Sequence, residues 1–266
     1  MTKITKTVIT FVITLTLFAA MSANAFASVN TTGWTAEQIA AYRADQAEAA
    51  KFKRECGINA DKAHREMIAE LLPYGYYFEM CNTVATNDAR IKDVAYIVTQ
   101  ILEDTDVVLP YYIHCSIDGL YKGRIKTLQL PNMIDTGLMD ESWTESSGKL
   151  YDGVTVKGDK LATREQLVIT LARAVNYRGM NGNGVTPVIN DIDKFTTEEG
   201  KEAAKLIVGY GFLNLDANGN FNPQTNATGN DLIEVAVRMH RYMKDVPLPQ
   251  YVIDRNAEVK AVQIID

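Results

Sequence analysis

The chain has 266 residues, 47% hydrophobic and 23% charged, an ordinary composition for a globular protein. Lys and Arg together number 27 against 33 Asp and Glu, a net charge of −6, so a general nucleic-acid-binding face is excluded; such a face needs concentrated basic charge. The length allows one large domain or several small ones, and the number has to come from pattern.

Residues 1–27 read as a secretory signal peptide. Lys3 and Lys6 precede an uncharged apolar run from Val8 to Ala20, and Ala23-Asn24-Ala25 or Ala25-Phe26-Ala27 offers small residues for cleavage. The run is short for a membrane anchor. Its removal leaves 25 basic against 33 acidic residues, a mature chain of net −8 with no further segment able to span a membrane. Residues 28–57 are a polar leader followed by a helix. Thr35 and Gln38 have capping-box spacing, and an Ala/Glu/Lys-rich run continues to about Arg54.

Three segments then share one plan: a helix, a glycine stop, a loop, an Ala-Thr pair and a second helix. In residues 58–108 the stop is Gly75 and the pair Ala85-Thr86. In 109–180 they are Gly137 and Ala162-Thr163, with a polar insertion between Asp140 and Asp159. In 181–244 they are Gly211 and Ala227-Thr228. Glycine just past a helix end accepts the left-handed conformation at low cost, and threonine caps the next helix through its hydroxyl. Residues 245–266 form a tail in which Pro247 and Pro249 end the last helix and the YVI and VQII segments are expected as short strands.

This plan resembles the S-layer homology (SLH) domain, which occurs as tandem triplets on bacterial surface proteins. The resemblance covers roughly residues 58–244. Asn190-Asp191-Ile192 is similar to the family's opening, Gly211-Phe212-Leu213 to its helix end, and Asn218-Gly219-Asn220-Phe221-Asn222-Pro223 to its loop. Lys160-Leu161-Ala162-Thr163-Arg164-Glu165-Gln166 is similar to its helix start. The family's arginine is present only as Arg164; Gly229 and Asn87 stand in the other two places. The resemblance implies a mainly α fold of three helix-loop-helix repeats packed as a pseudo-threefold unit, with the N-terminal helix as an addition. It also implies a secreted cell-envelope protein that binds anionic cell-wall polymer, either secondary wall polysaccharide or modified peptidoglycan, in grooves between repeats. A protein–protein adaptor or structural envelope component with decayed grooves is the alternative, and other envelope proteins are then the partners.

Thr163 and Gln166 make a capping box and put Arg164 at the first helical position, among the N–H groups a helix start leaves unpaired. Cationic charge gathered there makes sense around an anion, although an ion pair with Glu165 or Asp159 is equally compatible with the residues alone. With the resemblance, the expected ligand-binding residues are Arg164, Thr163, Glu165, Gln166, Asp191, Thr228 and Thr86; Arg90 and Lys92 could substitute where the arginine is missing, and a solvated face is an equal reading of them.

The loop from Asp216 has EF-hand spacing at Asp216, Asn218 and Asn220, but Ala227 stands where a bidentate glutamate is required and Phe221 where the turn needs glycine. The loop therefore reads as structural, with Gly219 making the turn and Phe221 an apolar plug. Tyr74, Tyr76, Tyr77 and Phe78, like Tyr111 and Tyr112, read as packing residues. Cys56, Cys81 and Cys115 suit one disulfide plus a thiol or three buried thiols. No motif calls for a metal, a cofactor or catalysis.

Overall fold

A computed structural model describes residues 33–56, 60–76, 87–110, 125–144, 158–180, 182 and 185–263. The chain divides into two compact units, Met1–Ala47 and Glu48–Asp266. Helix α1 (Ala36–Cys56), which starts in the first unit and runs past its boundary, begins with the expected box: Thr35 N–H donates to Gln38 Oε1 (2.8 Å) and Gln38 N–H to Thr35 Oγ1 (3.2 Å). Trp34 packs edge-on against Tyr42.

The second unit is helical, with no strand among the described residues. Its helices are α2 (Lys62–Leu71), α3 (Ile91–Asp104), α4 (Ile125–Asp135), α5 (Arg164–Tyr177), α6 (Glu198–Gly209), α7 (Gly229–Met243) and α8 (Gln250–Gln263). No described helix is long and apolar enough to cross a membrane. Gly75, Gly137 and Gly211 all have φ between +72° and +81°, so each expected glycine stop adopts the left-handed conformation that a β-carbon would penalise.

Helices α3, α5 and α7 build the core. Ile97, Val98 and Ile101 of α3, Leu167, Val168 and Leu171 of α5, and Leu232, Ile233 and Val237 of α7 are all fully buried. Each fully buried side chain of this size is worth about 1.5–3 kcal/mol of transfer free energy. Helices α2, α4 and α6 lie against these in rotation. Helix α2 packs on α7, α4 on α3, and α6 on α5, while α3 also touches both α5 and α7. The closest packing partner of each first helix is therefore not the second helix that follows it in sequence. At the far end Arg178 Nη2 donates to Met243 O (2.7 Å) and Val246 O (2.6 Å), joining the ends of α5 and α7.

Two expectations change. The tail is a helix, α8, rather than strands. Pro249 immediately precedes it, a position where the missing N–H costs nothing. Asn256 then fixes α8, donating to Asp106 O (2.7 Å) and accepting from Val108 N–H (3.0 Å). Helix α3 begins at Ile91, with Arg90 as its N-cap and Asp93 Oδ2 accepting from Arg90 N–H (2.9 Å), not directly after Ala85-Thr86. Residues 1–32, Thr86, Tyr77, Phe78, Cys81, Tyr111, Tyr112 and Cys115 lie outside the described residues.

Candidate functional site

The starts of α3, α5 and α7 meet. Ala89 N–H donates to Ala227 O (2.7 Å), Ala227 N–H to Ala162 O (2.8 Å) and Ala162 N–H to Ala89 O (2.9 Å), closing a ring of three hydrogen bonds. Single antiparallel bridges, Asp88 with Thr228, Arg90 with Leu161 and Thr163 with Asn226, surround it. The first N–H groups of each helix are spent on the same joint. Ile91 and Lys92 donate to Lys160 O and Gly158 O (both 3.0 Å), Arg164 and Glu165 to Thr225 O and Pro223 O (both 2.9 Å), and Gly229 to Asn87 O (2.9 Å). These N–H groups were expected to be open to an anion. They instead satisfy the carbonyls of a neighbouring segment, because a buried joint leaves no backbone group unpaired at low cost.

Arg164 is likewise engaged, with a partner other than those its sequence neighbourhood suggests. Its Nη1 pairs with Asp231 in an ion pair whose side chains are each 15% exposed. Its Nε donates to Phe221 O (2.9 Å) and its Nη2 to Asn214 O (3.3 Å), with the guanidinium 4.9 Å from the Phe221 ring centroid. Phe221 is fully buried against Phe195, and Gly219 has φ +76°, as expected for a plug and a turn.

Beside Arg164 lies a groove of ≈ 360 Å³, lined by Asn214, Asp216, Asn220, Asn222, Thr225, Asn226, Thr228, Asp231 and Glu234 among others. Asp216 accepts from the N–H groups of Asn218 (2.8 Å) and Asn220 (2.9 Å) and from Asn222 Nδ2 (3.0 Å). These bonds, the one from Asn220 N–H foremost, hold its carboxyl down at about 2. Glu234 pairs with Arg238 at 2.7 Å. The groove is thus rich in amides and hydroxyls and carries three carboxylates to one guanidinium.

The remaining expected residues divide. Thr228 lines the groove and caps α7, its Oγ1 accepting from Asp231 N–H (3.2 Å) while Asp231 Oδ2 accepts from Thr228 N–H (2.8 Å). Thr163 and Gln166 form the mirror box on α5, with bonds of 3.1 and 2.9 Å, and do not line the groove. Glu165 is 4% exposed and faces inward, where it accepts from Thr196 and Thr197 through both backbone N–H groups and both hydroxyls, and from Gln224 Nε2 (2.6 Å). Burial alone would raise its pKa, but those bonds outweigh it and the net shift is downward. Asp191 is 2% exposed and accepts from Phe221 N–H (2.7 Å) and Asn222 N–H (2.8 Å). Both carboxylates hold the loop rather than face the groove.

A second cationic place lies at the start of α3. Lys92 Nζ and Arg90 Nη1 converge on Asp159 Oδ1, the latter at 3.3 Å, and Lys160 Nζ donates to Thr144 O (2.7 Å). Asp159 is held below its ordinary pKa, chiefly by the Lys92 hydrogen bond. Asp231, 67 positions from Arg164, is among the groove residues absent from the sequence expectation, with Asn214, Thr225, Asn226 and Glu234. Only its place three after Thr228 signalled a cap, and nothing signalled the ion pair. Among the described residues no cluster of His, Cys, Asp and Glu could hold a metal ion. No protein-family model matches the chain, and no curated protein matches its sequence.

Proposed function

We propose that this chain is a secreted, SLH-like envelope protein: three repeats packed as a pseudo-threefold unit, binding cell-wall polysaccharide or peptidoglycan non-covalently in a groove between repeats. The observation that carries this reading is the closed ring of bonds at Ala89, Ala162 and Ala227, together with the rotation in which each first helix packs on the second helix of a different repeat. Such an arrangement makes grooves between repeats a property of the fold. The groove beside Arg164 has a volume of ≈ 360 Å³, and its planar amides and carboxylates are the groups that pair with sugar hydroxyls.

A second reading, an adaptor or structural component whose grooves no longer take glycan, is favoured by one observation. Every nitrogen of the Arg164 guanidinium already has an internal partner.

Co-sedimentation with protein-free sacculi of the source organism tests the proposal. The mature chain is expected to pellet with the walls, and Asn214→Trp, which fills the groove from its exposed rim, is expected to stay in solution. Absence of pelleting by the parent would sink the glycan reading in favour of the adaptor.

A further inference from the structure

We infer that the groove beside Arg164 seats an uncharged, hydroxyl-rich stretch of saccharide and turns acidic substituents away, with Asp231 as the residue that sets this selectivity. The inference rests on the groove being a glycan site and names which part of a wall polymer enters it.

An arginine grips an acid by matching its fork of donors to a carboxylate, and that match is already made here. Asp231 presents its Oδ1 to Arg164 Nη1, in the position an incoming acid would need. The pair is tightly placed, since Asp231 is held from the other side by Thr228 N–H on its Oδ2. An acid entering the groove would have to displace a carboxylate that is intramolecular and anchored in a cap. It would also face the exposed carboxylate of Asp216, while Glu234 is already shared with Arg238 (2.7 Å). Like charges at this range repel, and the repulsion is strongest where water is partly excluded. The amides and hydroxyls of the groove turn donors inward, Asn222 Nδ2 to Asp216 (3.0 Å), Asn226 Nδ2 to Asp88 (2.8 Å) and Thr225 Oγ1 to Asn222 O (2.9 Å), which leaves mainly their oxygens to accept from sugar hydroxyls, without regard to charge. The cationic place at Arg90 and Lys92 is a different location and plays no part in this selection.

Asp231→Asn separates the two roles of this residue. Asparagine keeps an acceptor for Thr228 N–H, so the cap survives, while the neutral amide releases Arg164. The test is co-sedimentation of the mature parent, Asp231→Asn and Asn214→Trp with protein-free sacculi, before and after carbodiimide amidation with methylamine, which makes wall carboxylates neutral. The part of parental pelleting that Asn214→Trp removes is expected to survive amidation and to be insensitive to added salt. Asp231→Asn is expected to bind untreated walls about tenfold more tightly, the scale of one charge-assisted contact, and to lose that gain on amidated walls.

Loss of the Asn214→Trp-sensitive pelleting on amidation would overturn the selectivity while leaving the glycan site in place. A folded Asp231→Asn with no gain on untreated walls would overturn the role of Asp231. A parent that pellets with neither preparation would overturn the glycan site itself, and the selectivity with it. If Asp231→Asn fails to fold by circular dichroism, the amidation and salt comparison on the parent decides alone.

Discussion

Replacing Glu165 with alanine should destabilise the protein without any ligand being involved. The carboxylate collects the backbone N–H groups of Thr196 and Thr197, their hydroxyls and Gln224 Nε2 at distances from 2.6 to 3.1 Å. In Glu165→Ala the hydroxyls and the amide can turn elsewhere, but the two backbone donors cannot. Each hydrogen bond to a charged group is worth about 1.5–3 kcal/mol, so with water reaching the exposed Thr196 and Thr197 and replacing part of what is lost, a loss of about 3–4 kcal/mol is expected. Thr197 is also the N-cap of α6, accepting from Gly200 N–H at 2.9 Å, so the damage reaches that helix. Urea unfolding followed by far-UV circular dichroism at neutral pH should show the midpoint falling by about 1–2 M, given a slope of roughly 2–3 kcal/mol per molar. Because the folded pKa of Glu165 lies below its ordinary value, its stabilisation is present above pH 4.5 and lost as pH falls through the folded value. The gap between parent and variant should therefore narrow in acid. A loss under about 1 kcal/mol at neutral pH would refute the clamp.

Two further substitutions probe neighbouring claims. Gly200→Ala would ordinarily gain up to about 1 kcal/mol in a helix, but here the new β-carbon would sit 2.5 Å from Glu165 Oε1 and 3.0 Å from both Glu165 Cγ and Phe195 Cδ1. A lower Tm is expected, by a loss of about 1–3 kcal/mol, and an unchanged or raised Tm would contradict the tight fit. Glu103 is pushed up to about 7 by burial, and its Oε1 has no hydrogen-bond partner. The folded state therefore holds an extra proton between pH 4.5 and 7, so this group makes stability fall as pH rises through that range. Glu103→Gln should remove the slope and be more stable than the parent by about 1–3 kcal/mol at pH 8, as seen by denaturant titration at several pH values.

What could be read from the sequence was what is decided within a few residues. Gly75, Gly137 and Gly211 stop helices because a left-handed residue is needed there, and the boxes of Thr35, Thr163 and Thr228 close with an acceptor three residues on. Arg90 escaped because its side chain cannot accept a hydrogen bond; Asp93 alone completes that cap, and Ala85-Thr86 offered a more familiar pattern four residues earlier. Helix α8 escaped because its β-branched residues argue for strands, whereas its position is fixed by Asn256 reaching residues some 150 positions away. The same distance problem hid the site. Arg164 was found as a residue of interest, but its partner lies on another helix, and the expectation that its neighbouring N–H groups were free failed because the chain returns to cover them. Glu165 and Asp191 looked like ligand-binding acids by adjacency, and only the tertiary structure turns them inward.

The ring at Ala89, Ala162 and Ala227 has no first or last member. In an open stack of repeats the outermost ones expose a face and need a specialised cover. Here the starts of α3, α5 and α7 are each braced from two sides through main-chain atoms, which any side chain except proline leaves intact. The hydrogen bonds are therefore indifferent to side-chain identity at the positions flanking the three alanines, which are themselves buried and have room for little more than a methyl group. Arginine can stand where threonine would cap α3, and glycine can open α7, without loosening the assembly. Divergence of one of these helix starts can proceed at one corner while the other two hold the joint in place.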